Sequence, residues 1–123
     1  MITGERPAPP QRCVALDFDD NRLTCIEQAL PVMQPHGFRG TVPTITQLAD
    51  TGVLSGLDHL PCLRWEHCRT LMDAGWCITP HSVTHAVDAS AASAKAEMDQ
   101  SKNALLAALG SDSGAEYFTY PGA

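Results

Sequence analysis

Short apolar runs alternate four times with stretches of helical periodicity along this chain of 123 residues, and no other feature restricts its fold as much. Arg12 to Phe18 is a largely apolar run bounded by polar residues, the pattern of a strand buried in a parallel sheet. Ile26, Leu30 and Met33 then recur at helical spacing between about Leu23 and Gln34. Pro31 is expected to kink or shorten that helix, and His36-Gly37 to end it. Phe38 to Ile45 reads as a second short strand, limited in length by Pro43. Thr46 to Pro61 is polar and rich in glycine, a loop with room for one helical turn. Trp65, Cys68, Leu71 and Met72 place a helix from Trp65 to Ala74, closed by Gly75. Trp76 to Thr79 is a third strand. A long helix capped by Asp88 or Ser90 runs to about Leu109 and stops at Gly110. Glu116 to Tyr120 reads as a fourth strand, and residues 1–11 form an extended, proline-rich arm ahead of the first.

Strands and helices in turn imply parallel strands joined by helical crossovers, an α/β chain whose one domain covers residues 12–123. Ligands of such sheets and barrels collect at the C-terminal ends of the strands. Three polar motifs fall there: Asp17-Phe18-Asp19-Asp20, His81-Ser82-Val83-Thr84-His85 and Tyr120-Pro121-Gly122.

The two histidines, four residues apart, are expected on one face of a single helical turn, from which both rings reach one divalent metal. An HxxxH pair alone is common; its place behind a strand and the acidic cluster are what single it out. The best third donor is the acidic cluster Asp17-Phe18-Asp19-Asp20, and Asp20 is taken to supply it. Two imidazoles and one carboxylate leave an open position for water, the pattern of catalytic rather than structural zinc. A cation so held lowers the pKa of its water and polarises a carbonyl, as amide or ester hydrolysis requires. Asp19 is then placed to act as general base, and the Tyr120 backbone N–H to hold a developing oxyanion. The bland readings are a solvated aspartate turn or helix cap and an unremarked Tyr-Pro-Gly turn. His36, His59 and His67 sit in polar or loop contexts and are read as surface residues without a role.

Leu16-Asp17-Phe18-Asp19-Asp20, His81-Ser82-Val83-Thr84-His85 and Phe118-Thr119-Tyr120-Pro121-Gly122 resemble, in order, the first three motifs of the polysaccharide deacetylase family, the NodB homology domain of carbohydrate esterase family 4. Gly37-Phe38-Arg39-Gly40-Thr41 and Leu71 to Ile78 resemble that family's second strand and the approach to its histidine motif. The resemblance extends from about Cys13 to the last residue. It implies a distorted (β/α) barrel, here incomplete with about four βα units, that removes acetyl groups from sugars such as N-acetylglucosamine polymers with zinc or another divalent ion such as cobalt or nickel. By the same resemblance Asp19 matches the catalytic base, and Asp20, His81 and His85 the metal ligands. Thr119 stands where the third motif often carries an arginine. Asp17 replaces a threonine or small residue, and Asn21 the glycine after the aspartate pair.

Composition narrows the partners. A net charge of −6 and a pI near 5.1 argue against a nucleic-acid backbone or an anionic membrane surface, which need a basic face. No apolar run approaches the length of a membrane span, and the first ten residues lack the apolar core of a secretory signal, so a cytoplasmic protein is the default expectation. Five cysteines without a CxxC read as buried thiols, with Cys25 and Cys77 in the core.

Two other functions fit parts of the chain. Val14 to Asp20 also resembles the opening DxD motif of haloacid-dehalogenase-type phosphatases, with Asp17 as nucleophile, Asp19 as general acid and magnesium as cofactor. That chemistry has no use for the two histidines. A truncated, non-catalytic relative would keep the metal ligands; unpaired sheet edges would then favour a homo-oligomer.

Overall fold

The computed structural model describes residues 12–57, 60–87 and 90–122, and its centre is a pair of parallel strands, β1 (Thr41–Thr44) and β2 (Cys77–Pro80). Thr41 stands opposite Cys77, Val42 opposite Ile78, Pro43 opposite Thr79 and Thr44 opposite Pro80. The crossover between them holds α2 (Thr46–Thr51) and α3 (Trp65–Asp73), and α4 (Ala91–Leu109) follows β2 to pack on both β2 and α3. Gly52, Gly75 and Gly110, with φ of +74°, +86° and +86°, follow α2, α3 and α4, where a left-handed or extended exit suits glycine. Ser90 caps α4 by accepting the Ser93 N–H; Asp88 and His59 lie outside the described residues.

The core explains why these elements stay together. Val42 and Ile78 of the strands, Cys68 and Leu71 of α3, Leu105 of α4 and Leu63 ahead of α3 are all fully buried in one cluster. Burying each Leu or Ile contributes about 1.5–3 kcal/mol relative to leaving it in water. Ile45, Leu48 and Leu54 form a smaller cluster beneath α2. Burial pushes the Cys68 thiol up to about 12 and raises Cys25, while burial and then the charges of Glu116 and Asp17 raise Cys77. Cys25 and Cys68 are thus buried neutral thiols; Cys77 is only half-buried and Cys13 is exposed.

The sequence expectation of five buried thiols thus holds for Cys25 and Cys68 and not for Cys13 or Cys77, and four further expectations need correction. Arg12 to Phe18 is not a buried strand. It meets β1 through one parallel bridge, Asp17 to Thr41, with Thr41 N–H donating to Leu16 O (2.8 Å) and Phe18 N–H to Thr41 O (2.9 Å). Pro43, the next residue of β1 facing this segment, has no N–H to offer Phe18, so pairing stops there. Val14 is 83% exposed; it lines an open depression with Leu16 and Phe38, and the apolar run found no cover. Phe18 alone docks, tilted against Trp76 at 5.3 Å.

Glu116 to Tyr120 is likewise not a strand. Gly114 N–H donates to Ile78 O (2.8 Å) and Thr119 N–H to Pro80 O (3.1 Å), so five residues of this segment pass two of β2. A turn closed by Tyr117 N–H on Gly114 O takes up the excess and breaks the ladder register. The sheet therefore has two strands among the described residues, with the first and last segments running beside them in chain order. The helix read over Leu23 to Gln34 is a π-helical turn (Cys25–Ala29), then α1 (Leu30–Met33) and a 3-10 turn (Gln34–His36) ending at Gly37. Pro31 cannot donate to the carbonyl four residues back and its ring would crowd it. Leu30 N–H bonds instead to Cys25 O, five residues back. His67, finally, is not a roleless surface residue: half-buried, its Nδ1 accepts the Arg64 N–H at 2.9 Å and caps α3. Among the described residues no helix is long and apolar enough to cross a membrane.

Gly114 shows how closely the last segment approaches β2. A Cβ there would stand 2.6 Å from Cys77 Sγ and 2.8 Å from the Ile78 carbonyl oxygen. Gly114→Ala should therefore lower stability by about 1–3 kcal/mol, read as an earlier urea midpoint; an unchanged midpoint would mean that the segment does not lie against β2.

Candidate metal centre

Each side chain of the site is placed by a break in regular structure. Where Pro43 ends the pairing of the first segment, Asp20 and Asn21 take left-handed angles, φ +65° and +50°, and turn the chain away. Asparagine tolerates that region better than most residues, and here its side chain holds the turn. Asn21 is fully buried. Its Oδ1 accepts the Ile45 N–H (2.7 Å), its Nδ2 donates to Ile45 O (3.2 Å) and Leu63 O (3.4 Å), and its own carbonyl accepts the Leu63 N–H (2.6 Å). The departure from glycine noted in the sequence is thus a clamp between the end of β1 and the start of α3.

His81 directly follows β2, and its N–H adds the next bond of the ladder, to Thr44 O (2.9 Å). Its side chain is 2% exposed, and Nδ1 lies 2.9 Å from Thr119 O. A carbonyl can only accept, so Nδ1 carries a proton, and in the neutral ring Nε2 is the atom with a lone pair facing the site. Residues 81–85 are not a helical turn, contrary to the sequence expectation. Ser82 and His85 have φ of +66° and +58°, which no right-handed helix admits, and the Ser82 hydroxyl accepts the His85 N–H at 2.8 Å. This irregular loop nevertheless brings the two rings edge to face, with centroids 5.0 Å apart.

Asp20, His81 and His85 meet with their donor atoms within 4.8 Å of one another. Asp20 Oδ1 is 3.3 Å from His85 Nε2 and 3.7 Å from His81 Nε2; it is buried and without a hydrogen-bond partner. A buried carboxylate oxygen is costly when unpaired, which makes this atom the best test of whether a cation fits. Donors about 2.0–2.2 Å from one ion at tetrahedral angles stand roughly 3.3–3.6 Å apart, close to both measured separations. Two imidazoles and a carboxylate are also a donor set that zinc accepts. The other oxygen, Oδ2, lies 3.6 Å from the Arg22 guanidinium, which turns Oδ1 toward the rings. Asp20 and His85 are about a quarter exposed while His81 is sealed, so the site opens to solvent on one side.

The remaining sequence candidates lie around this group rather than in it. Asp19 is exposed and precedes Asp20. Asp17 pairs with Thr41 and is not among the grouped donors. Tyr120 is 66% exposed, its ring edge-on to Phe118 and its hydroxyl 3.5 Å from Met98 Sδ. Thr119 spends its N–H on Pro80 and its carbonyl on His81, leaving the Tyr120 N–H as the next donor along the segment. The Thr119 carbonyl, the Ser82 hydroxyl and Arg22 went unnoticed in the sequence. Only Arg22 left a signal there, as a cation two residues from a ligand.

The sequence model of the polysaccharide deacetylase family matches residues 6–123, and the chain belongs to that family. No curated protein sequence matches it. Among solved structures it is similar to the deacetylase PplD of Streptococcus pyogenes in complex with acetate, with 25% identity and a TM-score of 0.73 over 85% of this chain and 45% of that one. The family 4 carbohydrate esterase of Streptomyces lividans in complex with acetate is 24% identical, with a TM-score of 0.66 over 88% of this chain and 50% of that one. The de-N-acetylase of Aggregatibacter actinomycetemcomitans, 18% identical, superposes with a TM-score of 0.73 over 94% of this chain and 56% of that one. The chain thus spans about half the length of these proteins, and the α/β architecture is the fold it shares with them.

Asn21→Gly tests the clamp beside Asp20, because glycine keeps the left-handed turn and loses the amide. It should cost at least about 1–3 kcal/mol, since the Ile45 N–H is left buried and unpaired. A urea midpoint equal to that of the parent chain would show that the side chain holds nothing.

Proposed function

We propose that this chain carries the metal-dependent part of a carbohydrate deacetylase, which hydrolyses the amide of an N-acetylated sugar to acetate and a free amine. The observation that carries the reading is the buried, unpartnered Asp20 Oδ1 between two imidazole nitrogens. Family membership supports it, as does the acetate held by two of the similar structures.

Asp20, His81 and His85 would hold zinc, or cobalt or nickel in its place, and such an ion supplies Lewis acidity for the acetyl carbonyl and for water. The placement of the protein groups supports the following roles. In the neutral ring Thr119 O selects the His81 tautomer with its proton on Nδ1, which would leave the Nε2 lone pair for the metal. Arg22 engages the outer oxygen of Asp20. Asp19 is the base assigned to the proton of the attacking water, being a carboxylate next to a ligand and open to solvent. The Tyr120 N–H is assigned to the carbonyl oxygen as it gains charge, because the segment that bears it is tied to His81.

Elemental analysis of the purified chain should find about one equivalent of zinc, cobalt or nickel, and a His81→Ala, His85→Ala double variant should hold none. Acetate release from N-acetylglucosamine oligomers should fall at least about 100-fold in that variant, given that even outer-shell partners are worth 10–100-fold. A parent chain that takes up no transition metal after reconstitution, or a release rate indifferent to the double substitution, would sink the proposal.

A further inference from the structure

Outside the three grouped donors, one carboxylate is committed entirely to the loop that carries two of them. Glu97, in the second turn of α4, accepts the Val83 N–H (2.7 Å) and the Thr84 N–H (2.9 Å) on Oε2, and the Thr84 hydroxyl (3.0 Å) on Oε1. Bonds to an ionised acceptor are shorter and stronger than neutral ones. The carbonyls of the same loop point the other way: Thr46 N–H donates to Ser82 O (3.2 Å) and Gln47 N–H to Val83 O (3.1 Å). The loop is therefore gripped from both sides, its N–H groups by α4 and its carbonyls by the start of α2.

Such a grip matters because Ser82 and His85 hold left-handed angles, which non-glycine residues keep only when their surroundings impose them. The two histidines differ in what else secures them. His81 is fixed independently of the loop, by its N–H on Thr44 O and its ring on Thr119 O. His85 has its N–H on the Ser82 hydroxyl and its ring against Asp20. Its reach toward Asp20 depends on the path of residues 82–84.

We propose that Glu97 is a positioning residue of the metal centre: its carboxylate sets the backbone of Val83 and Thr84 and so places His85 Nε2 at Asp20. This rests on the metal-centre reading above. The bonds run through the loop backbone, so Glu97 touches neither metal nor substrate, and its loss acts on one of the three ligands. The adjacent α4 residue, Met98, meets the Tyr120 hydroxyl, so one turn of this helix supports both the histidine loop and the last segment.

The test is a cobalt titration of the full chain, followed by visible absorption, for the parent, Glu97→Gln and Glu97→Ala. Cobalt affinity should fall about 10–100-fold in Glu97→Ala, the range found for outer-shell partners, and less in Glu97→Gln, which keeps one acceptor oxygen. The spectrum of the cobalt-saturated Glu97→Ala protein should change with it, while metal-free circular dichroism and the urea midpoint show that the fold persists. Equal affinity and an identical spectrum in folded variants would overturn the proposal. If both variants unfold without metal, Glu97 is a general prop of the fold and the positioning role is overturned as well. A parent chain that binds no cobalt at all would sink the metal-centre reading itself, and this inference with it.

Discussion

His81 is bonded at both ends, and the rest of the arrangement depends on it. Its N–H extends the ladder between the strands to Thr44, and its ring N–H reaches Thr119 in the last segment. One residue thus joins the sheet to a segment that also bonds to β2 through the Gly114 and Thr119 N–H groups. The ring bond places Nδ1 at Thr119 O and leaves Nε2 on the side of Asp20, 3.7 Å from Oδ1. Its two hydrogen bonds account for a polar ring buried to 2%, and on the proposed function the same side chain would also serve the chemistry.

Around His81 the chain departs repeatedly from regular structure. Asp20, Asn21, Ser82 and His85 all have positive φ without being glycine. Each such residue costs of order 1–3 kcal/mol unless the surroundings hold it. Here the surroundings are specific: the Asn21 amide on Ile45 and Leu63, the Ser82 hydroxyl on the His85 N–H, and Glu97 on the loop between them. Strain gathered at one point is here offset by a ring of hydrogen bonds, which holds the two loops where their side chains meet.

The sequence made much of this legible, for reasons that differ by element. The strand at Trp76, α3 with Gly75 behind it and α4 between Ser90 and Gly110 follow from periodicity and end signals that act locally. The segments at Arg12 and Glu116 were misread as strands because a strand exists only through its partner. Neither the missing N–H of Pro43 nor the turn at Gly114 can be weighed until the register is known. His81, His85 and Asp20 were singled out together and do come together, but through an irregular loop and not a helical turn. Glu97 was invisible because an acid on the surface of a long helix has the look of a solvated charge.

The central claim is that Asp20, His81 and His85 form one metal centre, and a crystal of the zinc-loaded chain measured at the zinc absorption edge tests it most directly. A single strong anomalous peak is expected about 2.0–2.2 Å from Asp20 Oδ1 and from both Nε2 atoms. A peak elsewhere in the molecule, or none at these three residues in a zinc-soaked crystal, would contradict it.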